Sequence, residues 1–296
     1  MRTAIKALPG GARTMLLTAV AMLAFAANSL LCRLALQQPI IDPASFGSVR
    51  LISGAFALAL IVRIQPARSA PSRPDWLAAM MLFAYVACFS FAYLTLSAGT
   101  GALILFGAVQ VTMFGAGLRA GESFRPVAWA GLLLAVGGLV YLVSPGLSAP
   151  PLVGAVLMAT AGVAWGAYSL RGRAVADPLV STAGNFLRAA PFAIGLSLLL
   201  ATHAHATVPG VALAIVSGAL TSGIGYVIWY AALNGLSAMR AATVQLSVPP
   251  IAAFGGALLL SEVITPRLAL ASAAILGGIA LVLSSRAAGQ GARRRA

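Results

Sequence analysis

The chain has 296 residues, of which 60% are hydrophobic and 8% are charged, and its formal net charge is +14. This is too little charge to cover a water-soluble globule of that length, so the composition favours an integral membrane protein. The basic residues are spread over many short connections and are not clustered with aromatic residues, which argues against nucleic-acid binding.

Apolar runs between charges and Pro or Gly predict ten membrane-spanning helices, because each run is near the roughly 20 residues that cross a bilayer. Strand-like alternation is absent, which argues against a membrane barrel. We expect residues 1–13 to form a cytoplasmic N-terminal segment and residues 286–296 a basic cytoplasmic tail. In chain order the predicted spans are 14–36, 45–64, 76–98, 100–118, 124–143, 152–172, 180–201, 209–233, 238–260 and 266–285.

The two halves of the chain match each other. Because each copy holds five spans, an odd number, the second copy must cross the bilayer in the opposite direction. The sequence therefore predicts an all-α integral membrane protein with two inverted five-helix repeats, residues 14–144 and 152–285, around a central cavity. A shift of 140 positions places Glu122 on Glu262, Pro126 on Pro266, Ala21 on Ala161, and Arg33 on Arg173.

Lys and Arg fall mainly in alternate connections between the spans. If the N-terminus is cytoplasmic, fifteen of the 19 basic residues lie on that side, and only Arg33 and Arg267 lie on the other. By the positive-inside rule, both termini are expected in the cytoplasm. We expect the protein in the inner membrane of a bacterium.

Two arginines, Arg50 and Arg188, lie within the second and seventh spans. A charge at that depth costs about 3 kcal/mol or more, so each is a candidate functional residue. Arg188 follows Asn185 by one turn, and the pair would offer a cation and an amide to a carboxylate. The alternative is that Arg188 ties helices together by pairing with carbonyls or acids. For Arg50 this structural role is the favoured interpretation.

Adjacent prolines, Pro249 and Pro250, fall inside the ninth predicted span. A proline within a helix leaves the carbonyl four residues earlier without its usual partner. In a membrane such a carbonyl must be buried or line a wet cavity. Gln245 and Ser247 add polar side chains at the same level, so we expect a substrate site there, shaped by the prolines. A packing kink without ligand contact is the alternative.

Aromatic side chains recur deep in several spans. Tyr226, Trp229 and Tyr230 share one helical stripe of the eighth span, while Tyr85 and Trp165 lie in the third and sixth. Each alone fits core packing, but together they would hold a flat apolar ring and still offer hydrogen bonds. The candidate substrate-binding residues are therefore Tyr85, Trp165, Asn185, Arg188, Tyr226, Trp229, Gln245 and Ser247.

Residues 226–262 comprise an aromatic-rich helix, a short link, a proline-bearing helix and a closing Glu262. This stretch resembles the eighth and ninth helices of the drug/metabolite transporter superfamily, EamA type. A weaker version occupies residues 91–122, where Val109 and Gln110 replace the proline that the family often has. The aromatic content and the length are similar to those of the YddG-type exporters of aromatic amino acids.

The resemblance implies a secondary exporter that works by alternating access. The cargo that fits best is an aromatic or bulky apolar amino acid leaving the cytoplasm. A drug or other metabolite exporter of the same superfamily is the nearest alternative. A membrane-embedded enzyme or a scaffold is the alternative from a different class.

None of the five acidic residues sits in the middle of a predicted span, which favours facilitated diffusion or exchange over proton coupling. Metal-binding clusters and the phosphate-binding GxxxxGK[ST] loop are missing from the sequence, so we expect no catalysis, no metal and no cofactor. The expected partners are a small-molecule substrate and the lipid bilayer. The sequence leaves the oligomeric state open, a monomer included.

Overall fold

The computed structural model describes residues 10–64, 74–119, 125–146, 149–172, 175, 177–233 and 244–293. Within these ranges the regular structure is helical, apart from one isolated β-bridge between Ile41 and Ala206. Six helices are long and apolar enough to cross a membrane, and three shorter apolar helices accompany them. The all-α prediction is confirmed for the described residues, and the chain is a multi-pass membrane protein.

The helices follow the predicted spans closely. Helix α8 is continuous, but its middle part has π-helical hydrogen bonding. In chain order the helices are α1 (Gly10–Gln37), α2 (Pro43–Ile64), α3 (Trp76–Ala92), α4 (Ala98–Arg119), α5 (Pro126–Val143), α6 (Leu152–Gly172), α7 (Pro178–Leu199), α8 (Val208–Ile215, Val216–Ile224 and Gly225–Leu233), α9 (Val248–Leu260) and α10 (Pro266–Arg293).

Helix starts carry residues suited to that position. Asp75 precedes α3 and accepts a hydrogen bond from the Ala78 N–H at 3.0 Å. Asp177 precedes α7 and accepts from the N–H groups of Leu179 and Val180 at 3.1 Å each. These carboxylates satisfy amide groups that would otherwise lack a partner in the first helical turn. Two of the few acids in the chain are thus used to begin helices.

The pattern of contacts between helices is nearly symmetric between the two halves of the chain. If α1 to α5 are relabelled α6 to α10, and α6 to α10 are relabelled α1 to α5, most of the contacting pairs remain contacting pairs. The contact of α3 with α6 corresponds to the contact of α8 with α1. The contact of α4 with α6 likewise corresponds to the contact of α9 with α1. Helix α2 also contacts α8 as α7 contacts α3. Three further contacts join a helix to its equivalent in the other half: α2 with α7, α4 with α9, and α5 with α10. Most helices therefore find their main partners in the opposite half of the chain.

The connections after α1, α3, α5, α7 and α9 meet at one end of the bundle, which we call the bridged end. Between the first and fourth of these connections, the Asp42 N–H donates to the His205 carbonyl at 2.9 Å. The Thr207 N–H returns a bond to the Ile40 carbonyl at 2.8 Å. Because alternate connections share one end, the helices between them run back and forth across the bundle.

Two arginines join the remaining connections at the bridged end. Arg33, near the end of α1, donates to the Tyr93 carbonyl after α3 and to Glu262 between α9 and α10, both at 3.0 Å. Arg267 donates to the hydroxyl of Ser144 after α5 at 3.0 Å. These are the two basic residues that the charge count placed away from the other fifteen, and both have structural partners.

Helices α5 and α10 approach each other through glycine. A Cβ added to Gly278 would lie 2.5 Å from the Gly131 carbonyl oxygen and 2.6 Å from the Ala135 nitrogen. A Cβ on Gly131 would likewise lie 2.5 Å from the Gly278 carbonyl oxygen. Small residues let helix backbones approach this closely in membranes. These glycines serve packing between the halves.

We predict that Gly278→Ala destabilises the protein, whereas Gly277→Ala does not. The added methyl group of the first variant meets backbone atoms of α5, and overpacking of this kind typically costs about 1–3 kcal/mol. At Gly277 the same methyl group finds nothing within 4 Å. Thermal unfolding in detergent, followed by tryptophan fluorescence, should show a lower Tm for the first variant only. Equal Tm values for the two variants would contradict the close packing of α5 and α10.

Candidate functional site

A small cavity lies in the middle of the bundle, and we call it the central cavity. Its walls come from α1, α2, α3 and α4 of the first half and from α6 and α8 of the second. The cavity measures about 20 Å³, room for about one water molecule. A molecule larger than water can enter only when the walls move apart. The lining residues are Phe25, Asn28, Ser29, Arg50, Tyr85, Phe89, Leu105, Phe106, Trp165, Thr221, Ser222 and Tyr226.

The charged group of the central cavity is Arg50 of α2, whose side chain is fully buried. Its Nε donates to the Ser222 hydroxyl at 3.2 Å, and its Nη2 donates to the Tyr85 hydroxyl at 3.1 Å. The guanidinium carbon also lies 5.2 Å from the ring centroid of Tyr85 and 5.0 Å from that of Phe89, within cation–π range. Three helices therefore hold one guanidinium in place.

The rings around the cavity form a contiguous stack centred on Trp165. Its centroid lies 5.0 Å from that of Tyr85, 5.1 Å from that of Tyr226 and 5.6 Å from that of Tyr168. Tyr85 and Trp165 come from facing helices of opposite halves. The structure thus brings together three of the aromatic residues that the sequence predicted, at a place where a flat ring could be held between rings.

Polar groups of α1 and α8 complete the cavity wall. The Asn28 Oδ1 accepts a hydrogen bond from the Ser217 hydroxyl at 2.7 Å and lies 3.3 Å from the Thr221 hydroxyl, which donates to the Ser217 carbonyl at 2.7 Å. Both hydroxyls belong to the π-helical part of α8, which packs on α2 so closely that a Cβ on Gly218 would overlap the Arg50 carbonyl. Interruptions of this kind are frequent at functional sites, because they change the direction in which side chains point.

A second small pocket, which we call the basic-end pocket, lies toward the other end of the bundle. It is lined by Asp75, Tyr168, Arg171, Thr182, Asn185 and Tyr230 among others. The Asn185 Nδ2 donates to the Tyr168 hydroxyl at 3.5 Å, while its buried Oδ1 has no partner among the described residues. Because Tyr168 also contacts Trp165, one layer of rings separates this pocket from the central cavity.

An ion pair joins α3 and α6 at the mouth of the basic-end pocket. The Arg171 Nε donates to the Asp75 Oδ2 at 2.5 Å. Partial burial raises the pKa of the Asp75 carboxyl, but the hydrogen bond and charge of Arg171 and the Ala78 N–H outweigh that effect and lower it. The Asp75 carboxyl is therefore ionised at neutral pH and is already paired.

Four other predicted site residues lie outside both pockets. Trp229 is one contact removed from the central cavity, since its ring lies 5.9 Å from that of Phe25. Arg188 is half-buried on α7 and has no hydrogen bond or ion pair within the described residues. Gln245 is buried and Ser247 half-buried just before α9. Neither belongs to the lining of the two pockets.

The predicted break near Pro249 and Pro250 coincides with an interruption of the helix: Val244 and Gln245 are helical, and Leu246 and Ser247 form a turn before α9. Residues 238–243 of the predicted span lie outside the described residues. Helix α9 begins at Val248, so both prolines lie in its first turn. Amide groups there have no carbonyl partner within the helix, and a missing N–H costs nothing. The prolines mark where α9 starts, and neither of them lines the central cavity.

Two residues of the central cavity, Arg50 and Asn28, were not among the candidate substrate-binding residues. Both carry a signal in the sequence, a charge and an amide within an apolar span. For Arg50 a structural role was the favoured interpretation. In the structure it lies two turns inside α2, against α3 and α8.

An ion pair between Arg33 and Glu262, which we call the latch, lies between the central cavity and the bridged end. Arg33 lies one turn after the cavity residue Ser29 on α1, so it covers the same face. The Glu262 Oε2 also accepts from the Ala98 N–H at 2.8 Å. The latch thereby joins α1 and the start of α4, both in the first half, to the connection before α10 in the second half. In this way it links the two halves.

The fold is that of a multi-pass membrane protein with a small cavity between the two halves of the chain. The EamA-like transporter family matches residues 152–284, which contain α6 to most of α10. The chain is 55% identical over 276 residues to a protein of Pseudomonas aeruginosa described as "Uncharacterized protein PA1977", with 93% of this chain and 96% of that one covered. The chain belongs to the EamA-like transporter family, and the resemblance to the EamA type is confirmed.

A solved crystal structure shares this fold. It covers 93% of this chain and 99% of its own, with a TM-score of 0.66 and 18% sequence identity. The likeness therefore extends over both halves. Family membership indicates a membrane transporter of small metabolites and accords with the expectation that the protein is not an enzyme.

We predict that Glu262→Gln opens the bridged end of the central cavity. Without its charge, residue 262 no longer pairs with Arg33, and the link between the halves weakens. In a Cys32→Ala, Cys88→Ala background, Ser29→Cys should react several-fold faster with a maleimide in detergent solution when Glu262→Gln is added.

Asp42→Asn is the matched control for the latch. Asp42 also lies at the bridged end, where it accepts hydrogen bonds from the Ser45 and His205 N–H groups. It does not contact the latch, so its substitution should leave the labelling rate of Ser29→Cys unchanged. Equal acceleration by both variants would show general loosening of the end and would contradict a specific latch.

Proposed function

We propose that this protein is a secondary transporter that exports small amphipathic metabolites, with aromatic or bulky apolar amino acids as the best-fitting cargo. The observation that carries the proposal is the central cavity. There the rings of Tyr85, Trp165 and Tyr226 surround a space that also holds the polar groups of Arg50 and Asn28. The rings suit a flat apolar side chain, and the polar groups suit the charged end of an amino acid.

The proposed mechanism is alternating access by ten helices in two inverted repeats of five. Three observations support it: the internal match of the sequence, the exchange symmetry of the helix packing, and the meeting of alternate connections at the bridged end. The distribution of basic residues supports an orientation with the bridged end outside and both termini in the cytoplasm, and we propose a bacterial inner membrane as the location. Rocking of the halves would expose the central cavity to each side in turn.

The conformation described corresponds to a closed step of this cycle. The latch covers the central cavity toward the bridged end, and the stacked rings of Trp165 and Tyr168 separate it from the basic-end pocket. Cargo from the cytoplasm would meet the basic-end pocket first, where the buried side-chain carbonyl oxygen of Asn185 has no partner within the part of the chain that the structure describes. Separation of α3 from α6 would then admit it to the central cavity.

The proposal includes facilitated diffusion or exchange without proton coupling. Of the five acids, Glu122 lies outside the described residues, and the other four are engaged away from the central cavity. Asp75 and Glu262 form ion pairs, Asp177 caps α7, and Asp42 accepts amide hydrogen bonds at the bridged end. A carboxylate that couples proton movement to the cargo would be expected in the central cavity, and none of the described acids belongs to its lining.

The test is counterflow in proteoliposomes loaded with unlabelled tryptophan and given radiolabelled phenylalanine outside. We expect transient accumulation of label, with competition by tryptophan and leucine and none by aspartate or lysine. Accumulation should not change when a proton gradient is dissipated. Failure of every compound to exchange would contradict transport. Exchange of cationic dyes without exchange of amino acids would contradict the proposed cargo and would indicate a drug exporter.

Trp165→Leu and Trp129→Leu form a matched pair for the site. Trp165 lies at the centre of the ring stack, whereas Trp129 is 44% exposed on α5 and contacts Phe114. We expect the counterflow rate to fall at least tenfold in the first variant, because a ring that contacts the cargo is lost, and to be unchanged in the second. Equal rates in the two variants would place the cargo elsewhere.

A further inference from the structure

The Arg50 guanidinium lacks full compensation within the protein. Only 1% of the residue is exposed, and its two hydrogen bonds go to the neutral hydroxyls of Ser222 and Tyr85. Its Nη1 is buried and has no partner among the described residues. A buried charge requires an opposite charge together with hydrogen bonds, because the energy lost on leaving water is otherwise not recovered.

No described carboxylate supplies that opposite charge. The ion pairs within the described ranges are those of Arg33 with Glu262 and of Arg171 with Asp75. Asp42 and Asp177 are bound to backbone amides at helix starts. The lining of the central cavity contains a cation and no acid.

We propose that Arg50 binds the negative group of the cargo, and that the central cavity selects compounds that combine one carboxylate with an aromatic or bulky apolar body. The inference rests on the proposed function and narrows its substrate class. A carboxylate at Arg50 would supply the missing charge and accept from Nη1 in a charge-assisted hydrogen bond. The rings of Tyr85 and Phe89 already fix the guanidinium, so little ordering is needed when the anion binds.

The same arrangement offers little to a positively charged amine. The cavity lining contains no carboxylate for an ammonium group, and the Asn28 Oδ1 already accepts a hydrogen bond from the Ser217 hydroxyl. An amine held near Arg50 would also be repelled, and that repulsion is strong where water is excluded. The amino group of an amino acid is therefore tolerated and not required, so aromatic carboxylates without an amine belong to the same substrate class.

The experiment compares four indole compounds as competitors of tryptophan counterflow: indole-3-propionate, its neutral amide, tryptophan and tryptamine. With the wild-type protein we expect the propionate to compete at least as well as tryptophan. The amide and tryptamine should need at least thirtyfold higher concentrations. Equal competition by the propionate and its amide, or effective competition by tryptamine, would overturn the assignment of Arg50.

Substitutions of Arg50 test whether this residue is the source of the preference for the propionate over its amide. Arg50→Gln removes the charge, so the propionate and its amide should compete equally, while Arg50→Lys should keep a preference for the propionate. Arg125→Gln makes the same change at an exposed position before α5. It should leave unaltered the ratio of the amide and propionate concentrations that compete equally with tryptophan. Retention of the full ratio by Arg50→Gln would overturn the proposal.

The change in Tm of the wild-type protein on addition of each of the four compounds provides a second measurement. It requires neither transport activity nor a substituted protein. If no compound exchanges in counterflow but only the propionate and tryptophan raise Tm, the transport proposal fails and the Arg50 inference stands. If all four raise Tm equally, or none does, the Arg50 inference is overturned whether or not transport occurs.

Discussion

A guanidinium buried among apolar helices is the constraint on which the rest of the site depends. To hold Arg50, α3 provides the hydroxyl of Tyr85 and a ring face, and α8 changes to π-helical hydrogen bonding where Ser222 reaches the Nε. Charged and polar groups in a membrane protein must find partners within the fold, because lipid offers none. The site, the π-helical part of α8 and one contact between the halves therefore meet at the Arg50 side chain.

Most helices could be predicted because hydrophobicity and length suffice to identify a segment that crosses a bilayer. Helix α2, predicted over 45–64, occupies Pro43–Ile64, and α5 starts at Pro126 against a predicted 124. The predicted 76–98 span was too long: α3 ends at Ala92, and a turn precedes α4. The π-helical part of α8 had no signal in the sequence, because contacts with α1 and α2 on other parts of the chain determine it.

The site was predicted in part. An aromatic residue deep in a span, such as Trp165, could be recognised from its position, and three of the predicted rings meet at the central cavity. Gln245 and Ser247 were inferred from Pro249 and Pro250 on the assumption of a helix interior. The helix is interrupted there by a turn at Leu246 and Ser247, but Gln245 and Ser247 do not belong to the lining of either described pocket. Single-residue chemistry was thus easier to predict than the distances between helices.

The separation of Arg50 from its partners along the chain affects how the protein is made. Tyr85 follows Arg50 by 35 positions, but Ser222 follows it by 172. A nascent chain that has inserted only its first helices holds a charge in lipid with half of its hydrogen bonds unmade. Completion of the protein therefore depends on synthesis of α8, and the first half released alone would retain an exposed polar surface that insertion machinery or quality-control proteases could recognise.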